Sequence, residues 1–136
     1  MKNRIVKFRV WDKVEKTFWN TNDGLYFWLH GKTAKELGGI SIAYFVGRNE
    51  QFVVQQFTGL TDENGKEIYE GDIIYEFERI RSFIEEKFDL GVVTYDNNRA
   101  AFVVNWGNIQ GFYMPQSHQM EVRGNVFENT ELLKKL

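Results

Sequence analysis

The chain has 136 residues with 12 Phe, 6 Tyr, 4 Trp, a single Pro and no Cys, a length that fits one domain able to bury roughly two-thirds of its unfolded surface. Without cysteine it has no disulfide, no thiolate chemistry and no Cys-based zinc site, and 43% apolar content argues against disorder. The net charge of -2 is unevenly placed: residues 1–20 hold six bases against two acids, and residues 60–90 hold ten acids against four bases.

From Ile5 to Trp11 apolar and basic residues alternate, with Val6, Phe8 and Val10 on one face and Lys7, Arg9 and Trp11 on the other. This period of two predicts a strand with one buried side. The opening bases precede no apolar core run, so no signal peptide is expected and the chain reads as cytoplasmic. Asp12 to Lys16 reads as a turn. Thr17–Asn20 and Leu25–Leu29 read as short strands around Asn22-Asp23-Gly24. Thr33-Ala34-Lys35-Glu36 matches a capping box and Gly38 a left-handed stop, which predicts one short helical turn. Residues 40–46 are apolar and read as a strand or buried loop.

Gln51 to Phe57 predicts a strand, and Asn64-Gly65 a tight turn within 61–68, because glycine takes positive φ without penalty. Gly71-Asp72 then starts a strand over Ile73–Phe77. Arg79–Asp89 fits a helix, an insertion or a loop equally well. Gly91–Tyr95 and Ala101–Trp106 form a hairpin closed by Asp96-Asn97-Asn98-Arg99, and a last strand covers Met120–Phe127 after a polar loop at 115–119. Asn129 is a good N-cap for a short helix, Thr130–Leu136. Short strands joined by glycine turns predict a mainly β chain built as a small antiparallel barrel.

Several chemistries fail on spacing. Gly31-Lys32-Thr33 resembles the end of a phosphate loop, but the required first glycine is Tyr26. Gly39-Ile40-Ser41-Ile42-Ala43 fails the nucleophile elbow at Ala43. His30 and His118 stand alone, without a helical pair or a partner carboxylate pattern, so no metal site and no cofactor are expected. No catalytic constellation is assembled, and the expectation is a protein that is not an enzyme.

Two surfaces remain as candidates. Lys7, Arg9 and Trp11 on one strand face combine charge with an aromatic ring, as nucleic-acid binders do, although the overall balance is acidic. The uncharged run 100–120, with Trp106, Phe112, Tyr113 and Met114, fits a protein interface, where charge is depleted and aromatics are enriched. A plain inner hairpin has the same composition. The run holds Asn105, Asn108, Gln110 and Gln116, so it is no membrane span.

Four blocks occur in order across nearly the whole chain: Ile5-Val6-Lys7-Phe8-Arg9-Val10-Trp11-Asp12, then Gln56-Phe57-Thr58-Gly59-Leu60-Thr61-Asp62-Glu63-Asn64-Gly65-Lys66-Glu67-Ile68-Tyr69-Glu70-Gly71-Asp72-Ile73-Ile74, then Gly91-Val92-Val93-Thr94-Tyr95-Asp96, then Val122-Arg123-Gly124-Asn125-Val126-Phe127-Glu128-Asn129. Together they resemble the YopX-like phage and prophage proteins. Thr130 stands where that family often has proline, and residues 20–50 and 79–90 match none of its pattern. The resemblance implies one YopX-like domain, with a β-rich part over 1–56 and an SH3-like barrel over 57–136. It implies a phage or prophage origin and supplies no catalytic residues. The expected function is an accessory protein acting by binding, through self-assembly as a homo-oligomer or contact with a phage or host protein. Opposite charges of residues 1–20 and 60–90 would then pair between subunits. Nucleic-acid binding through the basic aromatic strand is the alternative.

Overall fold

The computed structural model describes residues 1–19, 42–77 and 90–136. The chain is mainly β, as its alternation and turn residues predict, and it divides into two compact units, residues 1–57 and 58–136.

In the first unit, β1 (Phe8–Asp12) lies between β2 (Thr17–Phe18) and the first part of β3 (Phe52–Thr61), all antiparallel. The register sets Trp11 opposite Phe18 and Val53, and Val10 opposite Val54. Val10, Phe45 and Phe52 form the core. The expected one-sided strand is covered on both faces instead: Val10 and Trp11 are both buried. The reason is local, since Phe18 packs edge-on against the Trp11 ring at 4.9 Å. Asp12 ends β1 and builds the turn, its Oδ1 accepting from the Val14 and Glu15 amides at 2.9 and 3.1 Å.

Residues 42–46 are a helix, α1 (Ile42–Val46), where a strand or buried loop was expected. A strand would have needed a pairing edge. The helix needs only one anchor, Phe45, which is fully buried 4.8 Å from Phe52 and 5.2 Å from Trp19. Tertiary contact overrides the β propensity of the segment. The Arg48 amide closes its end on the Phe45 carbonyl.

In the second unit, β3 continues to Thr61 and turns into β4 (Glu67–Tyr69). The turn forms on Asn64-Gly65 as expected, with Gly65 at φ +80°. Asp62 holds it: Oδ1 accepts from the Asn64 and Lys66 amides at 2.9 Å each. Next comes a five-stranded antiparallel sheet in the order β8-β7-β6-β5-β9. Its strands are β5 (Asp72–Glu76), β6 (Leu90–Asp96), β7 (Ala101–Trp106), β8 (Ile109–Tyr113) and β9 (Met120–Asn125). Ile68, Ile74, Val93, Val104, Trp106 and Met120 make its core, the small antiparallel barrel that the turn spacing implied. Gly91 has no side chain because Trp106 occupies the space; a Cβ there would stand 2.6 Å from the indole.

The outer edge of β9 is occupied. Asp62 Oδ2 accepts the Val122 amide at 2.9 Å, and the Glu63 amide donates to the Met120 carbonyl at 3.0 Å. The short helix at the end, α2 (Thr130–Leu133), starts as expected at Asn129, but that side chain does not cap it. Asn129 Oδ1 instead accepts the Asn125 amide at 3.1 Å and fastens the turn after β9. The expected strand Leu25–Leu29, the turn Asn22–Gly24, the helical turn at 33–38, His30, Ser41 and the ambiguous stretch 79–89 lie outside the described residues.

Candidate binding edge of the C-terminal sheet

Residues 107–116, within the uncharged run 100–120 that sequence reads as an interface or a plain inner hairpin, contain the strand β8. Two glycines and the lack of an alternating pattern hide it. Its pairing with β7 places Tyr113 opposite Val103, Phe112 opposite Val104 and Ile109 opposite Trp106, and the register slips at Asn105. Asn105 fills that slip. Its Oδ1 accepts the Gly111 amide at 2.7 Å, and its Nδ2 donates to Thr94 Oγ1 at 3.3 Å. The Arg99 guanidinium reaches from the β6–β7 turn and donates through Nη1 to the Gly111 carbonyl. Arg99 Nε lies 3.4 Å from Asp96 Oδ2, and the Asn98 amide donates to Asp96 Oδ1 at 2.9 Å. One turn and one amide side chain therefore fix where β8 runs. An open polar cleft of about 410 Å³ lies there, lined by Thr94, Arg99, Val103, Asn105, Gln110 and others.

Directly paired residues share a face. Phe112 thus lies on the Val104 side, toward the core, and remains 39% exposed. Tyr113 lies on the Val103 side and is 88% exposed. No residue from Gly107 to Gln116 is charged, in a chain that is 26% charged. Among the described residues β8 is also the last strand of its sheet. Devices that blunt an edge, such as lysine or an inward charge, are missing from it, and Pro115 follows the strand without interrupting it.

Of the residues proposed from sequence for an interface, the structure brings Phe112 and Tyr113 to this edge. Met114 is half-buried against the core, and Trp106 is a core residue at 1% exposure. Asn105, Arg99 and Asp96, which shape the edge, were not singled out. Asn105 is the polar residue in an otherwise apolar strand, the one signal that pointed to it. The basic strand is arranged differently from a stacking platform. Trp11 is buried, the Arg9 guanidinium lies 4.7 Å over the Phe18 ring and bonds Gln55 Oε1, and Lys7 Nζ lies 5.6 Å from the Phe57 ring centre.

Two buried carboxylates are perturbed. Burial pushes Asp62 up, but the Val122, Lys66 and Asn64 amides and the Lys66 charge outweigh it, so its pKa lies below the ordinary 3.8. Asp12 behaves alike: burial raises it, and the Glu15 and Val14 amides with the Trp19 and Gln51 side chains bring it down. Both act as structural acceptors. Among the described residues no group of three His, Cys, Asp or Glu side chains is placed to hold a metal ion. No helix there is long and apolar enough to cross a membrane. His118 is exposed in a single 3-10 turn, Ser117–Gln119.

The family described as YopX protein matches residues 7–134. The chain belongs to the YopX family. Among solved structures, this YopX-family chain is similar to protein EF1440 from Enterococcus faecalis, at 24% identity and a TM-score of 0.58, over 96% of this chain and 99% of that one. That likeness concerns the fold. No curated protein matches the sequence.

Proposed function

We propose that this YopX-family protein works by binding another polypeptide and not by catalysis, as an accessory protein of a phage or prophage inside the host cell. The observation that carries the reading is β8: the terminal strand of its sheet among the described residues, without charge, with Phe112 39% and Tyr113 88% exposed on its two faces. Edge strands of this kind are templates for strand addition, and exposed aromatics in a charge-depleted patch are the composition of interface centres. The test is affinity capture from lysogenic cells with the wild-type chain and with Tyr113→Lys. Proteins, including the untagged chain itself, retained by the first and lost by the second support the reading. Equal retention by both overturns binding through β8.

Nucleic-acid binding is the second reading, favoured by the bases of residues 1–20. With Trp11 in the core, it rests on Lys7 and Arg9 alone. Phosphate contacts weaken steeply with salt, so a gel shift over a salt series tests it. No shift at low salt ends it.

A further inference from the structure

We infer that Asn64-Gly65 is a latent self-modification site: the Asn64 side-chain amide is lost by attack of the Gly65 backbone nitrogen, and the closed turn on Asp62 holds that reaction back. This is the one Asn-Gly step in the chain, and both residues are exposed. Glycine matters here because it has no Cβ to shield its own amide nitrogen. In the reaction the Gly65 nitrogen gives its proton to water and bonds to Asn64 Cγ. The Cγ–Nδ2 bond breaks, and Nδ2 takes up a proton and leaves as ammonia. Water then opens the cyclic imide at either carbonyl. One product is an aspartyl linkage; the other is an isoaspartyl linkage with an extra methylene in the backbone. Water is the co-reactant throughout.

The turn opposes the first step in three ways. The Gly65 amide proton, which has to leave, is donated to the Asp62 carbonyl at 3.0 Å. The loop is clamped around that bond: the Asp62 amide donates to the Lys66 carbonyl at 2.8 Å, and Asp62 Oδ1 accepts from the Asn64 and Lys66 amides at 2.9 Å each. The ionised Asp62 carboxylate, in the same turn, also disfavours a second negative charge on the Gly65 nitrogen. Each of these four hydrogen bonds favours the closed turn by a factor of roughly 2–10, so the reaction runs through local opening. The product has a consequence beyond the turn, because Asp62 Oδ2 accepts the Val122 amide at 2.9 Å. An added methylene displaces the amides that orient the Asp62 carboxylate, and β9 loses its hold at Val122. The modification therefore acts as a slow, irreversible release of the clasp, and it is independent of binding through β8.

The test keeps the wild-type chain and Asp62→Ala, each shown to be folded by circular dichroism, in warm, mildly alkaline buffer. A second wild-type sample is held unfolded in guanidinium chloride. Mass spectrometry of the peptide holding Asn64 follows the exchange of NH2 for OH, and released ammonia gives a second readout. The wild type is expected to react at least about tenfold faster unfolded than folded. Folded Asp62→Ala is expected to react several-fold faster than folded wild type. In the modified chain, amide exchange at Val122 is expected to be faster than in the unmodified one. Equal rates in folded and unfolded wild type overturn the inference, as does an unfolded chain in which the Asn64 peptide stays intact. Folded Asp62→Ala reacting as slowly as wild type also overturns it, as does unchanged exchange at Val122. If Asp62→Ala does not fold, the comparison of folded with unfolded wild type decides on its own.

Discussion

Replacing Asp62 by alanine removes one carboxylate that holds both its own turn and Val122, 60 residues further along the chain. Three backbone amides lose their acceptor: Asn64 and Lys66 in the turn, and Val122 on β9. They do not count equally. Asn64 and Lys66 are exposed, so water replaces the carboxylate and each loss falls at the low end, about 0.5 kcal/mol. Val122 is half-buried at the sheet edge, and its stranded donor costs about 2 kcal/mol. The sum, about 3 kcal/mol, is a large share of the 5–15 kcal/mol that holds a domain of this size. Urea denaturation followed by tryptophan fluorescence reads it, because Trp106 is buried in the same unit. The expected effect is a midpoint lower by roughly 1–2 M. The acid limb gives a second readout. Since the folded Asp62 lies below the ordinary 3.8, its contribution is present above that pH and is lost as pH falls through the lowered value. Asp62→Ala is therefore expected to lose less stability below pH 4 than the wild type does. A midpoint within about 0.3 M of wild type, with an unchanged acid limb, refutes the assignment of Asp62 as the clasp between turn and strand.

Gly91→Ala places a methyl 2.5 Å from Val104 Cγ1 and 2.6 Å from the Trp106 ring. Overpacking of this kind costs about 1–3 kcal/mol, and calorimetry is expected to show a lower Tm. Asn129→Ala removes the acceptor of the Asn125 amide; a loss of about 1 kcal/mol is expected, with faster amide exchange at Asn125 and little change at the Asn64-Gly65 turn.

What the sequence made legible was whatever depends on neighbours along the chain. The hairpin Gly91–Trp106 shows through its flanking apolar runs, and the turn at Asn64-Gly65 through glycine at positive φ. Elements that depend on distant partners stayed hidden. α1 forms because Phe45 finds Phe52 and Trp19, and nothing local in Ile42–Val46 favours a helix over a strand. β8 is kept in line by Asn105 and Arg99, and its glycines and missing alternation give no strand signal of their own. Asn129 has the residue type of a cap, and its oxygen is taken by Asn125. At the candidate site, lack of charge pointed to residues 107–116. It could not separate Tyr113, at the surface, from Trp106, in the core, because interface centres and cores share a composition.

Affinity capture from lysogenic cells with the wild-type chain and with Tyr113→Lys, each shown to be folded by circular dichroism, tests the central claim most directly. Binding through β8 predicts polypeptides retained by the wild type and lost from Tyr113→Lys. Equal retention by the two folded chains would contradict it.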